Sequence, residues 1–237
     1  MINYNNKKSA QSARSARNKN NYSVKLRFLS ALVVIFFLSF SLRAQAPKGF
    51  SILKDTASFK QKMEAQSKLT NTMESDFTQE KYLSVMSENI ITKGHFCFKK
   101  ANMLRWEYTT PYSYLIAINK DKMFIKDNGK VNKYDINSNK MFKSINEMMV
   151  ATVQGNLLNN KDYKANFFES PTYYLIELSP VQKAAKDFLK TIELYINKTD
   201  YSVEKVKMTE PSDDYTSIDF TNRKTNQPIG DEKFTVK

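Results

Sequence analysis

The chain has 237 residues with 37 Lys and Arg against 24 Asp and Glu, a formal charge of +13, and only one His and one Cys. A single histidine excludes a His-ligated metal site, and a single cysteine excludes an intramolecular disulfide or a metal–thiolate cluster. The charge does not mark a nucleic-acid partner, because residues 1–44 hold eight of the 37 basic residues and none of the 24 acidic ones, which leaves +5 on the remainder.

Residues Met1 to Arg27 carry Lys7, Lys8, Arg14, Arg17, Lys19, Lys25 and Arg27 with no acid, and a charge-free, apolar run from Phe28 to Phe40, interrupted only by Ser30 and Ser39, follows. A positive region before an apolar one is the pattern of a secretory signal peptide. The run gives roughly 20 Å of helix, at ~1.5 Å per residue, where a spanning helix needs about twenty residues. Cleavage after Ala44 is expected, leaving Gln45 first, since cleavage after Ala46 would put Pro47 at the new terminus. The alternative is an uncleaved N-terminal anchor. No Cys lies near the cleavage region, as a lipid-anchored bacterial lipoprotein would require, so the expected product is unanchored: residues 45–237 as one domain outside the cytoplasmic membrane.

Asp55 and Thr56 are candidate caps before Phe59, Met63, Gln66, Leu69 and Met73, whose spacing predicts an amphipathic helix over 55–73. From Ser75 the period changes to two. Strands are expected over 75–86, 89–100, 103–109, 113–119, 122–127 and 130–135, with turns at Lys99–Asn102, Thr110-Pro111 and Asn128-Gly129. The links are too short for crossover helices, so the strands pair antiparallel.

Between Asn139 and Asn160, Met141, Ile145, Met148, Met149 and Thr152 recur at helical spacing, which predicts a second amphipathic stretch divided near Gly155. Strands resume over 163–169, 172–178, 189–197, 202–209 and 214–221, with a helical turn over Val181–Phe188. The expected fold is mainly β: a single antiparallel, incomplete half-barrel of about eleven strands covered by an α-helical lid. Alternation puts Leu104, Trp106 and Tyr108 on one face, Phe96 and Phe98 on one, and Tyr114, Ile116 and Ile118 on one.

The residues argue against catalysis. No G-x-S-x-G elbow, P-loop or dinucleotide fingerprint occurs. His95 shares a strand face with Cys97 and Lys99, yet no third group is recognisable to orient a Cys–His pair, and a solvent-facing histidine is expected. Periodicity leaves two readings of the aromatic face open: a filled core, or a pocket for an apolar ligand, toward which the adaptable thioethers of Met141, Met148 and Met149 lean.

Ser75-Asp76-Phe77-Thr78-Gln79, then Gly94-His95-Phe96-Cys97-Phe98, then Met103-Leu104-Arg105-Trp106-Glu107-Tyr108 with Pro111 beyond, resemble the outer-membrane lipoprotein carrier family, LolA, in order and spacing. The resemblance is strongest over about residues 55–135. It implies a monomeric periplasmic chaperone without cofactor, metal or catalytic residues, which accepts acylated lipoproteins from an inner-membrane lipoprotein-releasing ABC transporter and delivers them to an outer-membrane acceptor. It implies that Phe77, Phe96, Phe98, Leu104, Trp106, Tyr108, Ile116 and Ile118 line the lipid cavity, and that Met141, Ile145, Met148 and Met149 face it from the lid. Two positions depart from the family pattern. Where relatives carry a lid-latching Arg followed by Pro, this chain has Lys100 and Ala101, and lysine lacks the planar fork, so Lys100 is either a weaker latch or a solvated turn residue. Leu104 stands where many relatives have Phe. A carrier for another lipid, such as a fatty acid or glycolipid, and an extracytoplasmic interaction domain with a filled core remain as alternatives.

Overall fold

The structure, a computed structural model, describes residues 46–100, 102–138 and 160–236. These form one twelve-stranded antiparallel sheet and two α-helices. The strands are β1 (Ser51–Ile52), β2 (Thr72–Tyr82), β3 (Ile90–Lys99), β4 (Met103–Thr110), β5 (Tyr114–Asn119), β6 (Lys122–Asp127), β7 (Lys130–Asp135), β8 (Tyr163–Glu169), β9 (Tyr173–Pro180), β10 (Thr191–Asn197), β11 (Val203–Thr209) and β12 (Tyr215–Thr225). The helices are α1 (Thr56–Leu69) and α2 (Lys183–Lys186).

All eleven expected strands are present, and the twelfth is β1, whose two residues pair with Phe168 and Glu169. The spatial order β1-β8-β9-β10-β11-β12-β2-β3-β4-β5-β6-β7 departs from chain order twice: β1 lies against β8, and β12 returns to lie against β2, joining two meanders into one sheet. β1 and β7 are its edges, so the sheet is an open half-barrel rather than a closed one.

α1 begins where Asp55 caps it, its carboxylate accepting from Ser58 N at 2.9 Å. It ends at Leu69, earlier than the spacing predicts, and Thr70 is already extended. The reason is long-range: Thr72 and Met73 pair with Lys99 and Phe98 of β3, and the Thr70-Asn71-Thr72 run has weak helix propensity to resist that pairing. Met73 thus belongs to a strand rather than to the helical stripe.

Two apolar clusters lie on the inner face. Phe59 and Met63, one turn apart on α1, bury against Ile176, Leu178, Ile192, Leu194 and Ile196 on β9 and β10. Phe77, Phe96, Phe98, Leu104, Trp106 and Ile118 form the second cluster on β2 to β5, and Met208 packs against both. On the outer face, Ile229 and Phe234 of the C-terminal segment cover Cys97 and Met103. The lid residues expected at Met141, Ile145, Met148 and Met149 lie outside the described residues.

Candidate functional site

Cross-strand register builds the aromatic wall. Phe96 stands opposite Trp106, Trp106 opposite Ile116, Phe98 opposite Leu104 and Leu104 opposite Ile118, so three strands present their apolar residues to one side. The Phe77 ring lies 4.4 Å from that of Trp106 and meets Tyr108 edge-on at 5.3 Å, while Phe96 meets Trp106 edge-on at 5.5 Å. Tyr108 is tied in by its hydroxyl, which donates to Gln79 Oε1 at 3.1 Å, and burial pushes its phenol above the ordinary value. The Trp106 indole nitrogen is buried without a hydrogen-bond partner.

The structure gathers all eight wall residues named from the sequence into one cluster, with Tyr108 and Ile116 packed at its margin. Two of them, Phe96 and Trp106, line a cavity of about 260 Å³ that opens between this wall and the C-terminal half of α1. Met63, Gln66, Ser67 and Thr70 form its α1 side, Val206, Met208, Ile218 and Phe220 its far wall, and Asp200, Ser202 and Arg223 its polar mouth. Phe77, Phe98, Leu104 and Ile118 sit at 1% exposure or less and support the wall from within.

The far wall was missed at the sequence level although its signal is there: Ile218 and Phe220 alternate with Ser217 and Asp219. What is absent from the sequence is that β12 pairs with β2, with Phe220 opposite Phe77, which brings them to the cavity.

Lys100 leaves the β3–β4 turn toward α1. Its ammonium donates to the carbonyl oxygen of Lys68, and its backbone N–H donates to Asn71 O at 2.8 Å. Any contact of Lys100 with residues 139–159 lies outside the described residues.

On the outer face a polar groove runs over β2, β3 and β12. His95 does have an orienting group, contrary to the expectation from sequence: Asp76, directly opposite on β2, places Oδ1 2.5 Å from His95 Nδ1 and accepts from Asn222 Nδ2 at 2.7 Å. The side chain of His95 is 60% exposed. Cys97 supplies no nucleophile beside it, because burial and the neighbouring Glu74 carboxylate, 3.7 Å from Sγ, push the thiol up to about 11. Among the described residues no group of three or more His, Cys, Asp or Glu is placed to hold a metal ion, and no helix is long and apolar enough to cross a membrane.

The family model described as outer membrane lipoprotein carrier protein LolA matches residues 68–237. No curated protein sequence matches the chain. Among solved structures, a LolA superfamily protein from Nitrosomonas europaea is 10% identical with a TM-score of 0.40, over 76% of this chain and 96% of that one. An uncharacterized conserved protein from Thermus thermophilus is 10% identical with a TM-score of 0.48, over 76% and 92%. A putative outer membrane lipoprotein-sorting protein domain from Vibrio parahaemolyticus is 8% identical with a TM-score of 0.38, over 75% and 94%.

Proposed function

Because the chain belongs to the LolA family of outer membrane lipoprotein carrier proteins, we propose that residues 45–237 form a periplasmic chaperone that shelters the acyl chains of lipoproteins between α1 and the Trp106 wall. Residues 1–44 serve as its export signal, and the released domain shuttles between an inner-membrane lipoprotein-releasing ABC transporter and an outer-membrane acceptor. The observation that carries this reading is the apolar cavity between Met63 on α1 and Phe96, Trp106 and Phe220 on the sheet. No catalytic step is assigned to it.

The physical need for such a cavity is large. Each methylene left in water costs ~0.8 kcal/mol, so three chains of roughly fifteen methylenes would cost on the order of 36 kcal/mol. The cavity of about 260 Å³ is a small multiple of the ~30 Å³ that one water occupies in the liquid, far less than three chains fill. Loading therefore demands that α1 rise from the sheet, and α1 is suited to that, since it is anchored by only two buried residues, Phe59 and Met63. In this reading Phe77, Phe98, Leu104, Tyr108, Ile116 and Ile118 join the lining as the cover lifts, and Met141, Ile145, Met148 and Met149 face them from the lid.

Native mass spectrometry of the purified protein incubated with a triacylated lipoprotein tests the reading. A soluble one-to-one complex is expected, and a lipoprotein that precipitates regardless of added chaperone overturns it. Organic extraction of co-purified lipid separates lipoprotein cargo from a free fatty acid or glycolipid. A native protein that takes up no fluorescent apolar probe would point instead to a filled-core interaction domain.

A further inference from the structure

Arg223 reaches the cavity because β12 is bulged. Ile218 and Phe220 point to the aromatic wall, and strict alternation would send residue 222 to that side and residue 223 to the outer face. The register against β2 instead shifts between Thr221 and Lys224, and Asn222, at φ +53°, turns its amide outward to Asp76 on the outer face. One extra residue is thereby absorbed, and Arg223 takes the inward position at the cavity mouth. Bulges recur beside functional sites because they re-aim a side chain in this way.

The partner of Arg223 is held just as deliberately. Asp200 sits in the β10–β11 hairpin, where Tyr201 adopts φ +56° and Ser202 N donates to Asp200 Oδ1 at 3.1 Å. The other carboxylate oxygen receives Arg223 Nη2 at 2.9 Å. The Arg223 side chain is 16% exposed and that of Asp200 49%, so the arginine is the inner member of the pair and the carboxylate the outer, more replaceable one. An apolar cavity thus ends in a mostly buried arginine whose Nη1 donates to Val203 O at 3.4 Å and whose Nη2 is held by a partly solvent-facing carboxylate, ringed by the polar residues Ser67, Thr70 and Ser202.

We propose that Arg223 is a headgroup site: an acyl chain lies along Trp106 and Phe220, and paired anionic oxygens at its end displace Asp200 from the guanidinium. The ligand class is an acyl amphiphile with a carboxylate or phosphate head, matching the two-pronged recognition that arginine offers and lysine does not. The inference rests on the reading that the cavity takes acyl chains and goes beyond lipoprotein cargo, whose ester- and amide-linked lipid has no anionic head, to a second ligand class whose charged end lies at the cavity mouth.

The test is fluorescence titration of the purified protein with parinaric acid and with its methyl ester, followed by competition with oleate and with oleoyl lysophosphatidate. The native chain is expected to prefer the acid by about tenfold, as suits a hydrogen-bonded charge. Arg223→Met should bring acid and ester close to equality, and Asp200→Asn, which frees the guanidinium, should tighten the acid further. Competition by oleate or by lysophosphatidate tells a carboxylate head from a phosphate head, and either result supports the site. Equal binding of acid and ester by the native chain overturns the headgroup site while leaving the acyl cavity standing. Binding of neither probe removes both. A loss in Arg223→Met and Asp200→Asn that is the same for acid and ester would reduce the pair to a brace for the hairpin and overturn the proposal, with thermal melting of each variant reporting that both remain folded.

Discussion

The ring of Phe77 occupies the space that a side chain on Gly94 would need: a Cβ built on Gly94 would lie 2.6 Å from Phe77 Cζ and 2.8 Å from Cε1, and would meet the carbonyl oxygen of Glu107. The two residues face each other across β2 and β3, and the ladder to β4 shifts by one residue between Lys93 and Gly94. Gly94 is therefore the gap that lets Phe77 pack against Trp106, their rings tilted by 31°.

Gly94→Ala tests that relationship. A methyl cannot enter without moving either backbone or the Phe77 ring, and overpacking of this kind costs typically 1–3 kcal/mol. Urea unfolding should show a lower midpoint with an unchanged slope. Near-ultraviolet circular dichroism should change too, because Trp106 is the only tryptophan in the chain and its Phe77 neighbour is displaced. A variant with native stability and native near-ultraviolet signal would show that the close approach is not a constraint.

The strand ladder was legible because period-two alternation runs through strands such as β4, β5 and β10 and the turns between most strands are short. The aromatic wall was legible for the same reason: Leu104, Trp106 and Tyr108 could only share a face. What the sequence conceals is pairing at long range. Asp76 beside His95 is a cross-strand neighbour nineteen positions away, and Ile218 and Phe220 join the cavity only through the β12–β2 ladder. The shortening of α1 has the same origin, since Met73 fits a helical stripe but gains more by pairing with Phe98. Arg223 was hidden by a bulge, which breaks the very alternation that made the rest readable.

The C-terminal segment is clamped to the outer face by charges, and the clamp should fail in acid. The hydrogen bond from Lys233 holds Glu74 below the ordinary 4.5, and that from Lys99 holds Asp231 below the ordinary 3.8. A carboxylate whose folded pKa lies below its unfolded value contributes stability at pH above the unfolded value, and loses it as pH falls through the folded one. Melting temperature should thus owe nothing to pH change at these groups between 7 and 5, and should drop below about pH 4. Lys233→Ala should flatten that acid limb, and an unaltered limb would show that the clamp carries no linkage.

Cys97 lies beneath that clamp, with its thiol pushed up to about 11 by burial and by Glu74. Since the thiolate is the nucleophile, iodoacetamide at pH 8 should label the native chain far more slowly than the urea-unfolded chain. Phe234 is fully buried in the cluster that covers Cys97, so Phe234→Ala should raise the labelling rate while Phe188→Ala, at an exposed surface position, should not. Equal rates for native and unfolded protein would show that the segment does not shield the thiol.

Lys100 is the residue through which cavity opening is most directly tested. Its ammonium caps the C-terminal end of α1 at Lys68 O, where the helix carries partial negative charge, and the adjoining turn of α1, through Gln66, Ser67 and Thr70, lines the cavity. A cation at a helix C-terminus is worth about 0.3–1 kcal/mol, so Lys100→Met should lower stability only by that amount. If α1 must rise for a ligand to enter, the same substitution should speed the uptake of a fluorescent apolar probe by a few-fold, because the barrier includes breaking this contact. Lys100→Arg, which can reach the carbonyl with a forked donor, should slow it. Stopped-flow uptake with the three proteins separates the possibilities: a rate order of Met, then Lys, then Arg makes residue 100 a latch on α1, whereas equal rates with the small stability loss intact leave it a turn residue that happens to cap a helix.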